Sequence, residues 1–146
     1  MSGEDWIGRA EAALAASGHK RGGARSALLQ LLAAQTCVLS VADIEHAQND
    51  PGRRSVSRAS IYRILDELEQ LQLVQRVEVG QGMVRYERAR PAEEHHHHLV
   101  CVSCGRVTPF SDAGLERAIE RLSKAIPLTV AEHEIVLRGA CRDCGA

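Results

Sequence analysis

Residues 57–88 read SRASIYRILDELEQLQLVQRVEVGQGMVRYER, and this stretch decides the fold of the first half of the chain. Its apolar residues at first recur about every 3.6 positions, which predicts a helix capped by Ser57 with one buried stripe, formed by Ile61, Ile64, Leu65, Leu68 and Leu71. Two β-prone runs then flank Gly80-Gln81-Gly82 and predict a hairpin.

Further helices are predicted before this stretch. Residues 5–16 and 24–34 are rich in alanine and leucine, and a glycine-rich basic connection separates them. Ser40, followed by Asp43 at the third helical position, predicts the N-cap of a short third helix. Helices followed by a hairpin indicate a winged helix-turn-helix, in which the last helix enters the major groove of DNA. A small helical domain with an incidental basic face fits the same patterns equally well.

The charge of the chain is informative only locally. The net charge of the 146 residues is −1, which does not indicate a nucleic-acid partner. Between positions 53 and 65 there is no acid and there are four arginines: Arg53, Arg54, Arg58 and Arg63. Either a solvated basic stretch or a phosphate-binding face would explain this cluster. Arg58, Tyr62 and Arg63 fall off the apolar stripe of the helix, so we expect them to face away from the core.

The second half of the chain predicts a small α/β unit. A polar hinge, 89–94, precedes a strand over 95–102, a strand over 106–110, a helix over 111–126 and a strand over 128–138. We therefore expect an α+β protein with a winged-helix DNA-binding domain (1–88), a hinge (89–94) and a metal-binding dimerisation domain (95–146). The apolar face of the second-half helix and a free sheet edge favour pairing with a second copy of the chain.

The composition favours a cytoplasmic protein without a membrane partner. No apolar run approaches the length that spans a bilayer, and the start, MSGEDWIGRA, lacks the pattern of a signal peptide. In a reducing compartment, the five cysteines are better explained as metal ligands or free thiols than as disulfides.

Four of these cysteines form two Cys-x-x-Cys-Gly motifs, beginning at Cys101 and Cys141. Each motif closes a tight loop whose two thiolates can face one ion, and two such loops complete a tetrahedral zinc site with no open position for catalysis: Cys101, Cys104, Cys141 and Cys144. A redox pair is the alternative for one motif, but two motifs with the same trailing glycine argue against it.

Four consecutive histidines, His95-His96-His97-His98, lead directly into the first motif. Alternate side chains of a strand point to opposite faces, so His95 and His97 would serve one metal site and His96 and His98 another. Glu116 and His133 are isolated oxygen and nitrogen donors. Taken alone, they are better explained as a solvated helix acid and an ordinary strand histidine.

Together these residues resemble the ferric uptake regulator (Fur) family of bacterial metal sensors, and the resemblance covers nearly the whole chain. It rests on the motifs Ser60-Ile61-Tyr62-Arg63-Ile64-Leu65, Tyr86-Glu87, the run from His95 to Gly105, Phe110-Ser111-Asp112 leading to Glu116, His133, and the Cys141/Cys144 pair. The resemblance implies a dimeric, metal-dependent transcriptional repressor that binds palindromic operators of metal-uptake genes. It implies neither an enzyme nor a small-molecule substrate beyond metal ions.

The resemblance also implies three metal positions. The four motif cysteines match a structural zinc; His95, His97, Glu116 and His133 match a second site in the dimerisation domain; Glu87, His96 and His98 match a sensing site at the hinge. Many members supply a fourth ligand of the sensing site from one of two places, and this chain has Cys37-Val38 and Gln75 there. Members specialised for zinc often carry a cysteine shortly before the histidine run, where this chain has Ala89. Cys37 is the candidate replacement ligand, and a small buried residue at a helix end is the alternative.

For DNA, the resemblance implies base or phosphate contacts from Arg58, Ser60, Tyr62 and Arg63, and phosphate contacts from Lys20, Arg21 and Arg25. The basic segment 20–25 stands where members usually have a Thr-containing Arg motif, and it keeps that motif's charge.

Zinc is the expected signal, because the unbroken histidine run resembles zinc uptake regulators, whereas iron sensors often carry an aspartate within it. Imidazole also suits iron and nickel, so Fe²⁺ or Mn²⁺ at the regulatory site, in an iron, manganese or peroxide sensor, is the alternative within the family. A DNA-binding dimer with structural zinc but no sensing is a further alternative. A zinc hydrolase would need an open coordination position beside a base such as Glu87 or Glu116, and no nucleophile motif accompanies them.

Overall fold

The computed structural model describes residues 2–49, 51–52, 55–91 and 94–145, and the chain divides into two compact units, Met1–Glu94 and His95–Ala146. Arg53 and Arg54 of the basic cluster, and Ala92 and Glu93 of the predicted hinge, lie outside the described residues. No helix in the described part of the chain is long and apolar enough to cross a membrane.

The N-terminal unit consists of four helices and a hairpin. The helices are α1 (Gly3–Ala16), α2 (Gly23–Ala34), α3 (Val41–Gln48) and α4 (Arg58–Gln70), and the antiparallel strands are β1 (Val74–Gly80) and β2 (Met83–Arg88). The predicted caps are confirmed: Ser40 forms a capping box with Asp43, and the Ser57 hydroxyl accepts from the backbone of Ser60. This unit is a winged helix-turn-helix.

Helix α4 buries one side and exposes the other. Its buried residues are Ile61, Ile64, Leu65 and Leu68, as the sequence predicted, whereas Arg58, Tyr62 and Arg63 are exposed. Leu71, the fifth residue of the predicted stripe, is the C-cap residue of the helix and is only half-buried. The hairpin that follows turns at Gly80, Gln81 and Gly82, with φ angles of 112°, 53° and 72°. Glycine at two of these three left-handed positions removes most of the steric cost of the turn.

Two long-range contacts attach the hairpin to the helices. Leu39, which precedes α3, exchanges two backbone hydrogen bonds of 2.8 Å with Tyr86 of β2. Trp6 of α1 is 1% exposed, and its indole Nε1–H donates to the carbonyl oxygen of Leu73 at 3.1 Å. Helix α1 is thereby fixed to the chain at the start of β1.

The C-terminal unit is a three-stranded sheet with one helix. Its elements are β3 (His97–Cys101), β4 (Val107–Phe110), α5 (Ala113–Ala125) and β5 (Val136–Gly139), and the strand order is β4-β3-β5. Strand β3 pairs antiparallel with β4 and parallel with β5. Asp112 caps α5 by accepting from the backbone of Leu115 at 2.7 Å, and none of the residues of α5 is buried.

The strand predicted over 128–138 is shorter than expected, because only Val136–Gly139 forms β5. Val136 pairs with His98, and β3 begins one residue earlier, at His97. Residues before Val136 therefore have almost no neighbouring strand to complete a ladder, so they do not extend β5.

We expect Trp6→Phe to destabilise the N-terminal unit by about 2 kcal/mol, because the smaller ring leaves part of the core unfilled and the indole hydrogen bond is lost. The carbonyl of Leu73 keeps its second donor, the backbone N–H of Ala89 at 2.8 Å. The free energy of unfolding is measured by urea denaturation followed by circular dichroism. Tyr62→Phe, at a side chain 45% exposed, is the control and should change the value by less than about 0.5 kcal/mol. Equal stability of Trp6→Phe and the wild type would show that the indole bond is not needed.

Candidate metal centres and nucleic-acid interface

The four motif cysteines meet at one end of the C-terminal sheet. Cys101 ends β3 and pairs in register with Gly139 of β5, so the loops that follow the two strands lie side by side. The four sulphur atoms lie within 4.8 Å of one another, and Sγ of Cys104 is 3.9 Å from Sγ of Cys141. A tetrahedral zinc ion with Zn–S bonds of about 2.3 Å separates its sulphurs by about 3.8 Å, so the cysteines fit zinc.

The trailing glycines of the two motifs permit this geometry in different ways. Gly105 has a φ of 74°, a left-handed conformation that side chains rarely adopt. At Gly145 an added Cβ would lie 3.1 Å from the Cβ of Ala140 and 3.3 Å from the carbonyl oxygen of Cys141. Glycine therefore avoids backbone strain at position 105 and close contacts at position 145.

The cluster shifts the pKa values of two of its thiols in opposite directions. Hydrogen bonds from the backbone of Cys141 and Cys104 lower the pKa of Cys101 to about 6. Hydrogen bonding to the sulphurs of Cys141 and Cys104 raises the pKa of Cys144 to about 12. Four thiolates this close repel one another, and a divalent ion bound among them would remove that penalty.

A second cluster joins β3, α5 and the segment before β5. The carboxylate of Glu116 lies 2.8 Å from Nε2 of His97, 3.0 Å from Nε2 of His133 and 3.3 Å from Nε2 of His95. The backbone N–H of Ile135 donates to Nδ1 of His97 at 3.3 Å, which turns the other ring nitrogen towards Glu116. Three imidazoles converging on one carboxylate fit a divalent first-row metal ion.

Glu116 is held in its charged form by these neighbours. Its pKa is lowered, first by the hydrogen bond with His97 and then by the proximity of His95 and His133. Taken alone, Glu116 and His133 looked like ordinary surface residues. The fold brings them together with the two histidines, since α5 and the segment before β5 lie against the same face of β3.

His96 and His98 form a separate pair, as predicted, although the strand begins at His97 and not at His95, so that His96 lies just before it. Their ring centroids are 5.0 Å apart, and His98 is fully buried. Nδ1 of His98 lies 3.7 Å from Oε1 of Glu134, a residue that sequence reasoning did not single out. The available signal was its position two residues before Val136, the strand partner of His98.

The remaining proposed sensing residues, Glu87 and Cys37, belong to the N-terminal unit. Glu87 is 2% exposed, and the amide of Gln75 donates to its Oε1 at 2.6 Å across the hairpin. Gln75 stands where the family resemblance would place a possible ligand, and here it is a hydrogen-bond donor to the acid. Cys37 is half-buried in the loop after α2.

The residues expected to contact DNA differ in their surroundings. Tyr62 and Arg63 are exposed, and Arg58, with its side chain 58% exposed, donates from Nε to Glu45 at 3.0 Å. Ser60 is half-buried, with its hydroxyl 2.9 Å from that of Ser57. Lys20 and Arg21 are exposed, whereas Arg25 is half-buried and contacts Glu67. The exposed side of α4 therefore offers cations and a tyrosine to an anionic partner.

If the four cysteines bind a structural zinc, we expect Cys144→Ser to lose that ion and to unfold the C-terminal unit, because binding of such an ion contributes on the order of 10 kcal/mol. Zinc retained after dialysis against a weak chelator is measured by atomic absorption, and folding by circular dichroism. Cys37→Ser is the matched control and should keep the retained zinc. A Cys144→Ser protein that still holds its zinc would contradict the four-thiolate site.

The chain is similar to proteins of a known family. The profile of the Ferric uptake regulator family matches residues 16–138. The ferric uptake regulation protein of Neisseria meningitidis serogroup A is 34% identical over 88 residues, so the match spans 60% of this chain and 60% of that relative. The ferric uptake regulation protein of Helicobacter pylori is 28% identical over 143 residues, covering 97% of this chain and 92% of the relative.

A solved structure extends the likeness to the fold. The Helicobacter pylori ferric uptake regulator, whose structure reveals three functional metal-binding sites, superposes with a TM-score of 0.82 at 26% identity. The superposition covers 99% of this chain and 94% of that one. Members of the family are transcription regulators and not enzymes. The chain belongs to the ferric uptake regulator family.

Proposed function

We propose that the chain is a metal-dependent repressor that binds palindromic operators of metal-uptake genes as a homodimer. The observation that carries this proposal is the run of four histidines at the start of β3, whose side chains divide into two clusters. His95 and His97 approach Glu116, while His96 and His98 form a second pair. A metal regulator needs ligands close to the hinge in the sequence, because an ion bound there can restrict how the DNA-binding unit is placed.

The proposed switch uses ligands from both sides of the hinge. Glu87 ends the wing, and His96 follows it by nine positions in the sequence. Glu87 and Cys37 from one unit, with His96 and His98 from the other, would bind one ion and restrict the angle between the units. Metal then selects the arrangement in which two recognition helices fit successive major grooves, and linkage requires DNA to tighten metal binding equally.

We propose that Arg58, Ser60, Tyr62 and Arg63 read the operator from α4. Exposed arginines can pair with guanine edges or with phosphates, and the tyrosine ring can contact a thymine methyl group. Exposure of Tyr62 and Arg63 supports this assignment. Lys20 and Arg21, exposed in the connection between α1 and α2, would add phosphate contacts.

We propose zinc as the sensed ion and as the ion of the four-thiolate site. Imidazole and thiolate ligands suit zinc, and the histidine run contains no aspartate. Iron is the second candidate, because the Neisseria and Helicobacter relatives are named ferric uptake regulation proteins. Manganese fits the oxygen and nitrogen donors of the Glu116 cluster as well.

The homodimer is supported by an apolar surface on the C-terminal unit. No residue of the amphipathic helix α5 is buried, and Leu122 is 59% exposed. On the sheet, Leu99 and Leu137 pair in adjacent strands and are 40% and 51% exposed. Exposed apolar side chains of this size on a small unit are typical of a subunit interface, and a second copy would cover them.

We expect operator affinity to rise at least tenfold when the sensed ion is added, and His96→Ala with His98→Ala to abolish that rise. The protein, with its four-thiolate zinc retained, is titrated onto a duplex that it has enriched from a random pool, at fixed salt. Zinc(II), iron(II) and manganese(II) are buffered separately. His46→Ala, at an exposed histidine of α3, is the matched control and should keep the full response.

Each outcome of this titration has a definite meaning. A rise with zinc alone supports a zinc-responsive repressor, whereas a rise with iron or manganese alone overturns zinc as the signal and keeps the mechanism. Binding that no metal alters would refute sensing and favour a DNA-binding dimer with structural zinc only. If no duplex is enriched at all, the proposed DNA-binding function is wrong.

We expect Leu122→Glu to convert the dimer to a monomer, because a carboxylate would replace apolar contact at the proposed interface. Sedimentation velocity measures the mass in solution. Met83→Glu, a change at an apolar side chain 49% exposed on the hairpin, should leave the mass unchanged. A Leu122→Glu protein that remains dimeric would place the interface elsewhere.

A further inference from the structure

Arg25 differs from the two basic residues with which the sequence groups it. It is the third residue of α2, and its side chain is 16% exposed, whereas that of Arg21 is 87% exposed. A phosphate contact requires an accessible guanidinium, so the low exposure of the Arg25 side chain and its pairing with Glu67 indicate another role.

The guanidinium of Arg25 joins two separate segments of the N-terminal unit. Its Nη2 pairs with Oε2 of Glu67 in α4, and its Nη1 donates to the backbone carbonyl of Lys20 in the connection between α1 and α2. Nδ1 of His19 lies 3.7 Å from the same Oε2. One side chain therefore holds residues 19 and 20 against α4, across 42 positions of sequence between Arg25 and Glu67.

Glu67 lies one helical turn beyond Arg63, on the same side of α4, since residues four apart on a helix are neighbours. Its side chain is 18% exposed, and an ion pair shielded from water to this extent is stronger than one at the open surface. The ion pair thus fixes the basic connection beside the helix that carries the proposed base contacts.

The chemistry of arginine suits this role. Its planar fork presents two Nη groups in a fixed geometry, so one can serve a carboxylate while the other serves a carbonyl. A lysine ammonium carries the same charge as a point donor on a flexible stem, and it cannot span both acceptors in the same way.

We propose that Arg25 is a positioning residue of the DNA-binding surface. It ties Glu67 of α4 to the backbone of Lys20 and so holds the exposed cations Lys20 and Arg21 beside the recognition helix. The proposal rests on the proposed DNA-binding function. It assigns Glu67 a supporting role, although an acid near a DNA-facing surface would ordinarily oppose binding.

The test compares operator affinities of Arg25→Met, Arg25→Lys, Glu67→Gln and the double variant Arg25→Met/Glu67→Gln, on the enriched duplex with saturating zinc. Each single change should weaken binding about tenfold, and the double variant should be no weaker than the singles, because both remove one contact. Glu67→Gln distinguishes the two roles of Arg25. If Arg25 positions the basic connection, this change weakens operator binding. If Arg25 contacts phosphate, the change frees it from an acid and strengthens operator binding.

Arg21→Met is the matched control for a phosphate contact. It should weaken binding and reduce the slope of log affinity against log salt by about one. Arg25→Lys that binds as the wild type, or Glu67→Gln that binds more tightly, would overturn the positioning role and make Arg25 a phosphate contact.

A second readout needs no DNA. In the free protein, amide hydrogen exchange over residues 18–22 should accelerate about tenfold in Arg25→Met and in Glu67→Gln, and stay unchanged in Arg21→Met. Unchanged exchange in the first two variants would refute the proposal even if DNA affinity falls. If the wild type enriches no duplex but the exchange result holds, the contact is real and the proposed DNA-binding function has failed.

Discussion

The C-terminal unit folds with almost no apolar interior, and this constraint shapes the rest of the structure. Among its described residues only Val100, Cys101, His97 and His98 are buried, and every residue of α5 keeps some exposure. A unit of this size cannot recover its conformational entropy from such a core. Metal coordination and burial against a second copy are the two sources of stability that its side chains offer, so its folding should depend on both.

The N-terminal unit, in contrast, has a large apolar core. Its helices α1 to α4 and its hairpin enclose a continuous core in which Trp6, Leu28, Ile44 and Leu65 are all less than 2% exposed. Capping boxes at Ser2 and Ser40 satisfy helix ends locally. A core of this size can stabilise the unit without an ion, so we expect a metal to change the placement or the partners of the unit and not its internal structure.

Local patterns predicted most of the fold and of the metal clusters. The 3.6-residue period placed α4, the glycine pair placed the hairpin turn, and strand alternation separated His95 and His97 from His96 and His98. Contacts across long sequence distances were not predictable in this way. Periodicity predicts which side of a helix or strand is buried, but it does not predict which distant side chain contacts that side. The Arg25–Glu67 pair and the approach of Glu134 to His98 were therefore visible only in the structure. The Gln75–Glu87 hydrogen bond could have been predicted from the sequence, because in a hairpin centred on residue 81 these two residues lie opposite each other.

The chain carries a single tryptophan, and it lies in the core of the winged helix. Indole emission is sensitive to hydration, so this ring reports optically on one unit alone. Cobalt(II) substituted among the four thiolates would absorb in the near ultraviolet and visible range through charge transfer from sulphur, and would report on the other unit. Fluorescence and absorbance recorded in one cuvette can therefore follow the two halves of the molecule independently, without any attached dye.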